Sequence, residues 1–282
     1  VFGGKAALVM FMWLPKAYAA LNTELAALFA GLMTKVGVYA LIRVMVLLFD
    51  QQPDITHQLM YYMAIITMII GAIGVLGYED VKKIAAYQVI LSIGFSVMGI
   101  STLNQAGVTG AIFYAGHDMI IKTLLFLVMG VFVVLTGCRS YKQMGGLIHT
   151  HPSLGIILFI VTLSIGGVPP FSGFPGKLLI IQGALAEGYV VGVALMIITS
   201  LIAMYSLLKV FFYMYFGREE MPVVQRQPIL PHKLIAMILL TVATILMGLC
   251  AEWILDVAHH AAEFNINPSD YIKSVIPNVE VE

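Results

Sequence analysis

Four lysines in this chain stand where a lysine is costly. Lys5 lies in GGKAALVM, Lys35 in GLMTKVGVYALIR, Lys122 in HDMIIKTLLF, and Lys177 directly follows GGVPPFSGFPG. An ionised side chain at the centre of a bilayer costs about 2.5–3.5 kcal/mol on insertion scales, so each one kept there calls for a reason. Burial disfavours the charged form of a lysine, and a nearby carboxylate restores it. A buried lysine is therefore a proton carrier whose affinity follows the charge of its neighbours. A row of them can pass a proton sideways, each step driven by repulsion from the one behind. Asp118 precedes Lys122 by one helical turn, on the same face and in the favourable acid-before-base order. His117 beside it is either a member of the relay or a buried, hydrogen-bonded histidine. Tyr87, Gln88, Ser92, Ser96, Tyr114 and Ser172 flank the row and could hold the waters a relay needs.

Other ionisable residues have plainer readings. Lys209 lies within two turns of a helix end and can snorkel to the interface. Glu24, near the start of its helix, favours the helix dipole. His149, His151, His259 and His260 do not make a metal site by spacing, and Arg218-Glu219-Glu220 reads as a solvated loop. Cys138 and Cys250 form neither a metal-ligand pair nor a disulfide framework and read as inert packing. No nucleotide loop, haem-binding cysteine pair, iron–sulfur set or nucleophile elbow occurs, so no cofactor is expected and the chain reads as a transporter rather than an enzyme.

The elements that must position these residues follow from composition. Of 282 residues, 60% are apolar and 11% charged, against about 25% charged in a soluble domain. This chain belongs in a bilayer. Its net charge of zero gives no reason to expect a nucleic-acid partner. A spanning helix needs roughly 20 mostly apolar residues, and backbone satisfaction in lipid leaves helices for runs of this kind. The spacing predicts a partial helix over 1–14 ended by Trp13-Leu14-Pro15, then helices over 22–49, 57–77, 84–101, 107–136, 153–185, 188–216 and 233–255, with a polar tail from 257. The fold class expected is thus an all-α polytopic membrane protein, with about seven spanning helices after a truncated first one. Val1 already lies inside an apolar run, which reads as a cut inside a longer protein.

Loop charges set the orientation. Lys16, Lys82, Lys83, Arg139, Lys142, Arg218, Arg226 and Lys233 fall on one side, whereas Asp50, Asp54, Glu187 and the acidic tail with Lys273 fall on the other. The positive-inside rule makes the first side cytoplasmic. Within 153–185, residues 166–176 carry four glycines and three prolines, which no straight helix tolerates. Either this is a loop between two short helices, or it is a discontinuous helix of the kind that frees backbone dipoles at an ion site. The runs on each side are too short to span alone, which favours the second.

Taken together, WLPKAY, TKVGVYALIR, DVKKIAAYQVILSIGF and PPFSGFPGK resemble the antiporter-like proton-translocating subunits shared by Mrp antiporters and respiratory complex I. The detail of HDMIIKTLLF, with aspartate at position 118, and of GKLLI is similar to the Mrp (Mnh) antiporter branch of that group. The resemblance covers residues 1–255. It implies two inverted five-helix repeats, each with a broken helix. Residues 1–56 would end the first repeat, 57–216 would form the second, and 217–256 a loop and the final helix; 257–282 carries no motif and is a polar extracytoplasmic tail by the loop charges. It implies that Lys5, Lys35, Lys122 and Lys177 line a polar axis, with Lys5 paired to a glutamate on an earlier helix. The chain departs from the family by lacking a proline usually found after the first lysine. The function implied is a proton-translocating subunit of a multisubunit Na⁺/H⁺ antiporter in the bacterial cell membrane, with other subunits and the lipid as partners. The rival is a proton-pumping subunit of a NADH:quinone oxidoreductase or membrane hydrogenase.

Overall fold

The computed structural model describes residues 13–48, 53–217 and 230–266. In chain order the elements are α1 (Leu14–Ala20), α2 (Thr23–Val46), α3 (Pro53–Gly77), α4 (Val81–Ser101), α5 (Gln105–Thr136), α6 (Pro152–Gly166), α7 (Gly173–Ala186), α8 (Val190–Phe216), α9 (Pro231–Leu249) and α10 (Ala251–Ile266). Six of these, α2 to α5, α8 and α9, are long and apolar enough to cross a bilayer. The short apolar helices α6 and α7 follow one another through the Gly/Pro segment.

Side-chain caps fix where two of these helices begin. Asp80 accepts from the backbone amides of Lys82 and Lys83 at the start of α4, and Asn104 accepts from that of Gly107 at the start of α5. Helix α4 is buried on nearly every side, sandwiched by α3, α5, α7 and α8. Its neighbours α3 and α8 keep Ile66, Ile73, Ile197 and Leu201 outward, as a lipid-facing surface requires.

Polar contacts mark the two ends of the bundle. At one end, Asp80 and Ser140 form an antiparallel bridge, Val81 N donates to Arg139 O at 3.0 Å, and Lys142 pairs with Glu79. Lys82 Nζ donates to Leu21 O at 3.1 Å and Lys233 pairs with Glu24 at 2.6 Å. At the other end, Asn104 Nδ2 donates to Gly183 O at 2.8 Å and to Glu187 at 3.0 Å. There Gln105 Nε2 also donates to His259 O at 2.9 Å. Arg218, Arg226, Asp50 and Lys273 lie outside the described residues.

Helix α1 begins at Leu14, and Pro15 near its N-terminus gives up an amide that would be unpaired anyway. Two expectations change. The stretch read as a polar tail from 257 continues as helix α10 to Ile266, since Ala258, Ala262 and Asn265 recur at helical spacing and bury against the bundle. Glu24 has a partner beyond the helix dipole, the Lys233 ammonium. The helix expected over 1–14 and the remainder of the tail lie outside the described residues.

A buried lysine–aspartate cluster and a lysine-capped helix break

Helix α2 is not uniform. Phe29–Met33 and Ile42–Leu48 take wider π-type turns, a local unwinding often found at functional sites. Lys35 follows the first of them, and its ammonium donates to Ala30 O at 3.2 Å and to Thr34 Oγ1 at 3.1 Å. The same ammonium reaches across to α5, where it lies 2.5 Å from Asp118 Oδ2. Lys122, one turn along α5, faces Asp118 Oδ1 at 3.4 Å. Ser92 of α4 donates a third contact, to Oδ2 at 2.8 Å. Lys35, Asp118 and Lys122 are each less than 5% exposed. One carboxylate thus serves two lysines inside a closed core. The i, i+4 pairing of Asp118 with Lys122 is legible in the sequence, whereas the shorter contact from Lys35 is not.

The second centre is the break between α6 and α7. Gly167 takes φ +79°, which closes α6 in the left-handed conformation. Gly173 has no room for a side chain, because a Cβ there would stand 1.9 Å from Ser164 O. The end of α6 therefore presents carbonyls to the interior, at the negative end of a half-helix. Lys177 Nζ donates to Ile165 O at 2.6 Å and to Ser200 Oγ at 2.5 Å, and Ser200 donates on to Gly166 O at 2.9 Å. The same ammonium sits 4.8 Å from the Phe95 ring centroid. Beside it, a half-open and mostly apolar cavity of about 190 Å³ is lined by Gly167, Phe174, Lys177, Ile197, Ser200 and Leu201.

His117 stands between the two centres. Its Nδ1 lies 2.8 Å from Ser172 Oγ in the break, and Ser172 lies 3.3 Å from Ser164 Oγ. Its Nε2 is buried without a hydrogen-bond partner. Of the residues named from sequence, Lys35, Asp118 and Lys122 thus meet in one cluster, Lys177 caps the break, and His117, next to Asp118 in the chain, reaches Ser172 in the break. Lys5 lies outside the described residues. Ser200 and Ser164 escaped the sequence reading, because serines inside apolar helices are common and carry no spacing signal. Among the described residues, no group of three metal-ligating side chains could hold an ion.

Comparison with known proteins places the chain in a family. The family described as NADH:quinone oxidoreductase/Mrp antiporter, TM, matches residues 1–203. The chain belongs to that family. Within the NADH:quinone oxidoreductase/Mrp antiporter family, proteins of Staphylococcus aureus strains Mu3 and N315, described as candidate antiporter subunit mnhD2, are 55% identical over 281 residues. The match takes in 100% of this chain and 56% of each relative, so the chain spans little more than half their length. Among solved structures, the Mrp complex from Dietzia sp. DQ12-45-1b superposes with a TM-score of 0.88 at 27% identity. That superposition covers 98% of this chain and 59% of the other. An archaeal membrane-bound sulfane sulfur reductase gives 0.88 at 25%, covering 98% and 56%. Respiratory complex I from Thermus thermophilus shares the fold, with 0.84 at 22% identity over 94% of this chain and 57% of that one. The chain is accordingly a multi-span membrane protein of the Mrp/complex I membrane-subunit fold.

Proposed function

We propose that this chain is a proton-translocating part of a multisubunit Na⁺/H⁺ antiporter in a bacterial cell membrane, with Lys35, Asp118, Lys122, His117 and Lys177 as its relay. The observation that carries the reading is the single buried carboxylate shared by two lysines. In a low-dielectric core, two ammonium groups facing one carboxylate interact strongly, so a proton gained or lost at one lysine changes the affinity of the other. That coupling is what lateral transfer requires. From the cluster the row continues through His117 and Ser172 to the Lys177 site, where the carbonyl end of α6 offers a second place for a cation to rest. On this reading Lys5 heads the row, 57–216 is one five-helix repeat, and the end carrying Lys142 and Arg139 faces the cytoplasm.

Other subunits would supply the rest of the machine. The chain carries no motif for a redox cofactor, so in either of the family's settings the driving force enters elsewhere. The 55% identity to proteins described as antiporter subunits favours Na⁺/H⁺ exchange over redox-driven pumping. The test is Asp118→Asn in the full-length subunit, assembled in its complex and assayed for antiport in inverted vesicles. The amide keeps the shape but removes the charge both lysines share, so antiport should fall by about tenfold or more, equivalent to about 1.4 kcal/mol of barrier. A wild-type rate in an assembled mutant would reduce Asp118 to a packing residue.

A further inference from the structure

A second polar line joins the cluster to one end of the bundle. Lys209 of α8 lies at the end that carries Glu79 and Lys142, with its ammonium 5.7 Å from the Tyr141 ring centroid. One turn deeper on α8, Ser206 Oγ accepts a 2.9 Å hydrogen bond from Gln88 Nε2 of α4. Gln88 also donates to Ala203 O at 2.9 Å, and Ser206 donates to that same carbonyl at 2.8 Å. One turn further along α4, Ser92 donates to Asp118 Oδ2. Lys209 and Ser206 are three residues apart, and Gln88 and Ser92 four, so each pair shares a helix face. From the basic end to the carboxylate, each step past Lys209 is a hydrogen bond or a single helical turn.

Gln88 is 0% exposed, among Val89, Ile90 and Leu91, and its Oε1 has no hydrogen-bond partner. Packing alone would place a leucine there, because a buried acceptor left without a partner is destabilising. Ala203 O and Ser206 Oγ take the hydrogens of Gln88 Nε2, which leaves Oε1 as a buried acceptor of the kind that an internal water satisfies. We propose that Gln88 and Ser206 form a hydrated feed that delivers protons to Asp118 from the Glu79–Lys142 end, an inference that rests on the relay reading above. The proton crosses by successive hydrogen-bond exchange through water at Gln88 Oε1 and the hydroxyls of Ser206 and Ser92. Asp118, with Lys35 and Lys122 facing it, is the acceptor.

Cysteine accessibility and rate test the feed together, in the full-length subunit within its complex, in oriented vesicles and with Cys138 and Cys250 replaced by alanine. Ser206→Cys should react with a small charged methanethiosulfonate added on the Lys142 side. Leu207→Cys, the next residue and also buried, should stay unreactive. Gln88→Leu should slow antiport by about tenfold, and Gln88→Asn, which keeps an amide, should recover most of the rate. A wild-type rate for Gln88→Leu, equal labelling at 206 and 207, or labelling of Ser206→Cys from the opposite side would overturn the proposal. If Asp118→Asn abolishes antiport while Gln88→Leu does not, the feed falls and the relay stands. If Gln88→Leu fails to assemble, the labelling of Ser206→Cys decides.

Discussion

The described lysines of the proposed row are made tolerable in the core by two kinds of partner, and those partners define what a substitution should do. Lys35 and Lys122 share a carboxylate, whereas Lys177 has only neutral oxygens, Ile165 O and Ser200 Oγ. Ser200 is the hinge of the second arrangement, because it accepts from the lysine and donates to Gly166 O. Ser200→Ala strips both contacts and leaves that carbonyl unpaired, a loss of about 1–3 kcal/mol. The variant should assemble with reduced thermal stability in detergent and a slowed antiport rate, and Ser200→Thr should restore both. Unchanged stability and rate in Ser200→Ala would mean that the Lys177 site does not depend on the hydroxyl. The lysines and Asp118 were legible in the sequence because an ionised group in an apolar run is costly wherever it points. Ser200 and the Lys35–Asp118 contact were not, since both depend on which helices meet, and no local pattern encodes that.

At the scale of elements, the sequence foretold the broken helix through proline and glycine chemistry that acts locally. It missed the continuation of α10, because a helix that buries only Ala258, Ala262 and Asn265 among histidines and acids looks like a solvated tail. It also missed the π-type turns in α2, where nothing in FAGLM distinguishes a wide turn from a regular one. The clasp between the α3–α4 and α5–α6 connections has a pH signature. The hydrogen bond from Lys142 holds the Glu79 carboxyl below its ordinary value of 4.5. A carboxyl with a lowered folded-state value stabilises above its unfolded range, and that stabilisation is lost as pH falls through the folded value. Both side chains are about half exposed, so the contribution is small and screened by salt. Lys142→Ala should therefore lower the melting temperature slightly at pH 7 and low salt, and match the parent once the pH has fallen through the lowered Glu79 value and the carboxyl is protonated. A difference that persisted in acid would assign the effect to packing of the lysine stem.

For the whole molecule, the two ends and the middle have separate tasks. Charge is anchored at the ends, by the Glu79–Lys142 and Lys233–Glu24 pairs on one side and by Asn104 with Glu187 on the other. The middle holds the cluster and the break, and His117, beside Asp118 in the chain, meets Ser172 of the break. If these two centres form one continuous row, a lesion at the end remote from Asp118 must stop the whole. The decisive variant is Lys177→Ala, introduced into the full-length subunit and assayed for Na⁺-driven dissipation of a pH gradient in inverted vesicles containing the assembled complex. Antiport should be lost while assembly with the partner subunits is kept. Antiport near the parental rate would contradict a continuous row, and would leave Lys177 as the structural cap of a broken helix.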